Sequence, residues 1–188
     1  MRRTIPGLLL SLLLVGCDAV WTPEQQLTKQ VLVDTQMVRA AAAYQVERYS
    51  EVLKAASTAA DPARQSAQDL AAYFASPESQ VVGKLLAEVL KPTPADASFK
   101  RAKEIDEVKG AMAALAALAL RPQGSWDGWT RQVDGARSRL DRAAAALEAG
   151  QKSYVMIDVR QEANIKTAAF TASLGKARSG AEGAPKAQ

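Results

Sequence analysis

The chain has 188 residues, with 24 Lys and Arg against 20 Asp and Glu, a formal charge of +4, one cysteine and no histidine. Absence of histidine removes the usual general base, the commonest metal ligand and the physiological pH switch. With a lone cysteine it also excludes Cys/His zinc sites, haem attachment through Cys-x-x-Cys-His, and Ser-His-Asp or Cys-His catalysis.

Residues 1–17 come first in chain order and carry the clearest motif. Arg2 and Arg3 form a cationic start, an apolar run from Leu8 to Val15 is broken only by Ser11, and Gly16 precedes Cys17. This is the order of a secretory signal: charged n-region, short apolar h-region, small-residue cleavage site. A transmembrane helix needs about 20 apolar residues, and Ile5 to Val15 is about half that, with Pro6 and Gly7 inside it. Leu14-Val15-Gly16-Cys17 resembles the lipobox of bacterial lipoproteins. The resemblance covers about a tenth of the chain and implies cleavage after Gly16, diacylglycerol on the Cys17 thiol, and attachment to the periplasmic face of a bacterial membrane. It also implies that Asp18, directly after the cysteine, favours the inner membrane. Loss of residues 1–16 takes Arg2 and Arg3 with it, lowering the charge from +4 to +2. The remaining cations alternate with acids, so nothing marks a nucleic-acid binder.

The mature chain reads as all-α. Alanine occupies 38 positions and is the best helix former, while three phenylalanines and few β-branched clusters argue against sheet. Residues 17–22 form an anchor and linker. A long first helix is expected over about 23–59, where no Gly or Pro intervenes and Leu27, Val31, Val38, Ala42, Val46, Tyr49, Leu53 and Ala56 recur at helical spacing. Trp21 stands next to it, placed either for a headgroup layer or for the base of the bundle. Asp61-Pro62 and Ser76-Pro77 each combine an N-cap with proline in the first turn, predicting helices over about 62–75 and 77–90. Lys91-Pro92-Thr93-Pro94 breaks the chain, and Thr93 with Asp96 predicts the start of a helix reaching about Leu120. Ser125 or Asp127 caps the next, to about Ala149. A last helix is expected over about 153–174, with Tyr154, Ile157, Ile165, Ala168 and Ala172 sharing one face. Residues 175–188 are rich in Gly, Ala, Ser and Lys and predict a disordered tail. The fold expected is an antiparallel bundle of five to six helices, 23–174, with a long N-terminal helix.

Three groups of residues are candidates for function. Residues 111–120 are apolar throughout; core burial is the simpler reading, and a docking strip centred on Leu115 and Leu118 is the alternative. Trp126 and Trp129 are three apart, so both indoles can lie on one side of a helix; they pack a bundle end or stack on a sugar. Glu104, Asp106 and Glu107 sit among Lys100, Arg101, Lys103 and Lys109, with Lys100/Glu104 and Lys103/Glu107 four apart, as in a solvated face. Neighbouring carboxylates on one helix point apart rather than facing across a cleft as a glycosidase pair must. Arg131, Asp134, Arg137, Asp141 and Arg142 read the same way.

The functional expectation is therefore non-enzymatic, without cofactor or metal. It is a scaffold or accessory module held to the membrane through Cys17, presenting helical surfaces to an envelope protein. The alternative is a binding module for peptidoglycan or a small amphipathic ligand at Trp126 and Trp129.

Overall fold

A computed structural model describes residues 21–91, 93–122 and 125–182, which form six helices and no strand. The expected signal, Cys17 and Asp18 lie outside these residues. The helices are α1 (Pro23–Ala56), α2 (Pro62–Ala75), α3 (Pro77–Val89), α4 (Ala102–Leu120), α5 (Trp126–Glu148) and α6 (Ser153–Glu182).

Cross-helix contacts fix the direction of each helix. Taking α1 as running from base to top, α3 descends, because Glu78 meets Tyr44 and Arg48 while Val89 reaches the level of Val31. The fourth helix ascends from Glu24 to Tyr49, and α5 descends from Trp129 beside Tyr49 to Leu147 beside Arg101. The last ascends again, from Tyr154 against Trp21 to Arg178 against Glu51. The bundle is thus up-down-up-down-up, with α2 linking α1 to α3 at the top.

The central helix is α1, which packs against all five others. Five consecutive residues, Val31, Leu32, Val33, Asp34 and Thr35, are buried there, so no face of this stretch meets water. The uniformly apolar stretch 111–120 of α4 is by contrast one-sided: Met112, Leu115, Ala116 and Ala119 are buried, and the exposed positions are Ala113 and Ala117. An exposed alanine strands little apolar area, which is how an apolar run can sit at the periphery.

Capping chemistry sets most boundaries. Thr22 and Gln25 form a reciprocal capping box, and the side chains of Asp61, Ser76 and Ser125 receive the N–H of Arg64, Ser79 and Gly128. The start of α4 departs from expectation. The Asp96 side chain instead closes a local turn by accepting the N–H of Ser98 at 2.8 Å, and α4 begins only at Ala102. The N–H of its N-cap residue, Arg101, finds a tertiary partner in Glu24 of α1, which accepts it at 2.9 Å. The Arg101 guanidinium in turn donates to the carbonyls of Ala146 and Leu147, the last turn of α5, at 2.6 and 2.9 Å. One residue thereby joins three helix ends at the base. A Cβ at Gly150 would overlap that guanidinium, so a side chain in the α5–α6 turn would displace it.

The last helix corrects one expectation, the disordered tail. It continues to Glu182, so residues 175–182 are helical rather than a tail; residues 183–188 lie outside the described structure. The extension carries Arg178, which reaches Glu51 at 3.5 Å and the buried Glu78 at 3.7 Å, a gain that composition does not reveal. Its buried face is Val155, Val159, Ala163, Phe170 and Leu174. Tyr154, Ile157, Ile165, Ala168 and Ala172 share one face, as their spacing implies, and it is an exposed one, with Ile157 53% and Ile165 70% exposed.

Candidate binding surfaces

The two tryptophans do not form an open platform. Trp129 is 1% exposed, packs edge-on against Tyr49 at 5.0 Å, and donates its indole N–H to the Leu118 carbonyl at 2.8 Å. Tyr49 donates its hydroxyl to the next carbonyl, Ala119, at 3.2 Å. The last carbonyls of a helix lack intrahelical partners, so these aromatic donors complete the C-terminal turn of α4. Trp126 is half-buried, its ring centred 5.2 Å from that of Trp129. Leu115 is fully buried and Leu118 half-buried against the core, so the strip expected on α4 as an alternative docking surface is closed at its centre. Trp21 caps the base against Tyr154, with the Lys29 ammonium 5.3 Å from its ring.

Polar surface residues pair in part as their spacing implies. Lys103 and Glu107 approach to 4.0 Å, but Glu104 takes Arg101 rather than Lys100, at 3.5 Å. Asp141 bonds across to Arg39 of α1 at 2.6 Å, not within its own helix. Glu78 is buried and held by Tyr44, Arg48 and Arg178 at once; burial and the bond to Glu78 push the Tyr44 hydroxyl up to about 12. Among the described residues no group of three or more Cys, Asp and Glu is arranged to hold a metal ion, and no helix is long and apolar enough to cross a membrane.

Several concave surfaces remain among the described residues; two stand out, and neither was anticipated. The larger is a groove of about 1310 Å³ between α5 and α6, over α1. It exists because α5 packs on α4 and α1 while α6 packs on α1 and α3, leaving the pair scarcely in contact. Alanines 40, 43, 163, 168 and 172 line it, flanked by Arg39, Arg137 and Arg160 and by Asp141 and Glu148. The smaller is a cleft of about 460 Å³ bounded by α1, α4, the end of α3, Lys91, Thr93 and Pro94. Its polar lining includes Gln30, Asp34 and Lys109. Asp34 accepts from Gln30 at 2.8 Å, and desolvation holds its carboxyl above the usual range. Desolvation lowers the Lys109 ammonium correspondingly. On the other side, Asp34 borders a second cavity shared with Lys166, whose own partner is Glu162 at 3.0 Å. The Lys29 bond, with Lys166 beside it, keeps the Glu162 carboxyl low. The sequence signal was an aspartate set directly after Val31-Leu32-Val33, on a central helix where charge is costly.

No family model matches this chain, and no curated protein or solved structure matches it either.

Proposed function

We propose that the chain is a lipid-anchored periplasmic module, tethered through Cys17, whose bundle receives a helix of an envelope protein in the groove between α5 and α6. It acts as a non-enzymatic accessory or scaffold. The tether rests on Leu14-Val15-Gly16-Cys17, and Asp18 favours the inner membrane.

The observation that carries the docking reading is the groove's lining. On α6 it extends from Met156 to Ala172, about 24 Å at 1.5 Å per residue. An elongated channel lined by alanine lets a helix approach closely and lay an apolar stripe along it, the helix-in-groove mode of recognition. Three arginines against two acids at its edges favour a helix with acidic flanks. The ligand alternative at Trp126 and Trp129 draws no support from a buried Trp129 whose N–H is already engaged.

Two measurements test the two halves separately. Cys17→Ser should abolish fatty-acid labelling and release the protein from the membrane fraction; a variant that still labels and stays bound refutes the tether. A photo-crosslinking residue at Ala172 in the groove should give a discrete protein adduct in intact cells that one at Lys103 does not, and Ala168→Arg should remove it. Equal adducts from both positions, or an adduct indifferent to Ala168→Arg, refutes the groove.

A further inference from the structure

An apolar corner lies at the base of the bundle, where the chain enters α1. Trp21 is half-buried there, with its ring 5.9 Å from that of Tyr154 and edge-on to it. Tyr154 is 44% exposed. Ile157, three residues on and so on the same side of α6, is exposed by more than half. Their chain neighbours Thr22, Pro23, Lys152 and Ser153 are exposed as well, and the Lys152 ammonium lies 5.9 Å from the centre of the Tyr154 ring. The acids of α1 and α6 nearest this corner are occupied or withdrawn. Glu24 accepts from the Arg101 backbone, Glu162 holds Lys29 and Lys166 at 3.0 Å each, and Asp158 is half-buried. The corner is therefore apolar with a cationic edge, and it is not a polybasic patch.

Position and composition together indicate what covers it. Cys17 precedes Trp21 by four residues, and four residues reach no further than about 14 Å. Acyl chains on Cys17 would hold this corner, rather than the top of the bundle, against the lipid. Tryptophan and tyrosine combine an apolar ring with a polar tip and concentrate at membrane–water interfaces. A lysine beside them keeps its methylenes among apolar groups while its ammonium reaches the headgroups. The tether also makes the contact intramolecular, so three side chains suffice where an untethered domain would not stay bound. Ile165 is still more exposed, but it lies eight residues beyond Ile157, about 12 Å further up α6.

We propose that Trp21, Tyr154 and Ile157 seat in the headgroup layer of a phospholipid membrane, with Lys152 donating to phosphate oxygens, so that the bundle stands on its base. The proposal rests on the tether through Cys17 and adds to it a contact surface and an orientation. Ile165 and the upper part of the α5–α6 groove then stand clear of the lipid.

The test exploits the single cysteine. With Cys17 acylated, Ile157→Cys and Ile165→Cys each introduce one free thiol. Each purified, acylated protein is spin-labelled and reconstituted into phosphatidylethanolamine–phosphatidylglycerol vesicles, and collisions with a water-soluble nickel chelate and with membrane-dissolved oxygen are measured. The label at residue 157 should meet the chelate severalfold less often, and oxygen more often, than the label at residue 165. Tyr154→Glu, at an exposed position, should raise the chelate collisions at residue 157 to the level at residue 165, with acylation and thermal midpoint unchanged. Acylated protein with equal rates at the two positions overturns the proposal and leaves the tether standing: both high means that the base stays clear of the lipid, both low that α6 lies flat on it. Protection at residue 157 that is indifferent to Tyr154→Glu overturns it too. Protein without acyl chains, recognised by a second label on Cys17, overturns the tether and the proposal together. If Tyr154→Glu lowers the midpoint, the ratio between residues 157 and 165 decides alone.

Discussion

Replacing Trp129 by phenylalanine separates a structural indole from a ligand platform. Trp129 is 1% exposed, so the substitution leaves a cavity of roughly 40 Å³, which at about 24 cal/mol per Å³ costs about 1 kcal/mol. It also deletes the donor to the Leu118 carbonyl, and a buried acceptor left without its partner costs about 1–3 kcal/mol. Together these give a loss of about 2–4 kcal/mol. For a chain of this size each kcal/mol moves the midpoint by about 2–4 °C, so thermal unfolding followed by far-UV circular dichroism should shift down by about 4–16 °C. Trp126→Phe is the internal control. That indole is half-buried and its N–H has no partner among the described residues, so its loss should stay below about 1 kcal/mol. Equal effects of the two substitutions, or a Trp129→Phe chain within about 1 kcal/mol of the parent, would refute the role assigned to the aromatic donors of α4.

Leu115→Glu places an unpaired charge at a fully buried position. The penalty of several kcal/mol is comparable with a domain's whole stability, so the variant should lose its cooperative melt. A soluble variant with a near-normal midpoint would mean that this face is open. The Asp34 carboxyl is shifted upward, the reverse of a salt-bridged carboxylate such as Glu162. Burial raises it above its ordinary 3.8, so the folded state holds more protons than the unfolded, and the group costs stability as pH rises from that value through the raised one. Asp34→Asn should therefore raise the midpoint near pH 7, with the gain vanishing by about pH 3; a gain independent of pH would count against it. Arg178→Ala removes a half-exposed partner of Glu51 and Glu78 and should cost less than about 1 kcal/mol, with the amide exchange of residues 175–182 accelerated. Unchanged exchange there would show that Arg178 does not hold the helix end.

Local chemistry was legible in the sequence, and contacts made across the fold were not. Asp61-Pro62, Ser76-Pro77 and Ser125 placed three helix starts because an N-cap satisfies its own chain within three residues. Thr22-Pro23-Glu24-Gln25 carried an equally local box that fixes the start of α1. Thr93 and Asp96 misled because α4 is capped from a distance, by Glu24. Spacing along α6 gave one stripe, through Ile157 and Ile165, and packing against α1 and α3 buries a different one, through Val155, Val159 and Phe170. Of the candidate sites, the tryptophan pair was visible as a pair, but the carbonyl that engages Trp129 belongs to another helix. The cleft depends on bringing Asp34 within the field of Lys109, 75 residues away along the chain.

The Arg101 junction has a mechanical consequence. If Cys17 carries the proposed tether, lateral drag on the anchor enters the bundle through Thr22 and the first turn of α1. Glu24 passes it to the Arg101 backbone, and the guanidinium spreads it to the final carbonyls of α5. The base therefore resists tension as a three-legged bracket in which no single helix is peeled alone. Force-extension of the chain pulled from its N-terminal end should then show one rupture for the base, and Arg101→Gln should divide it into smaller steps, with α1 fraying first.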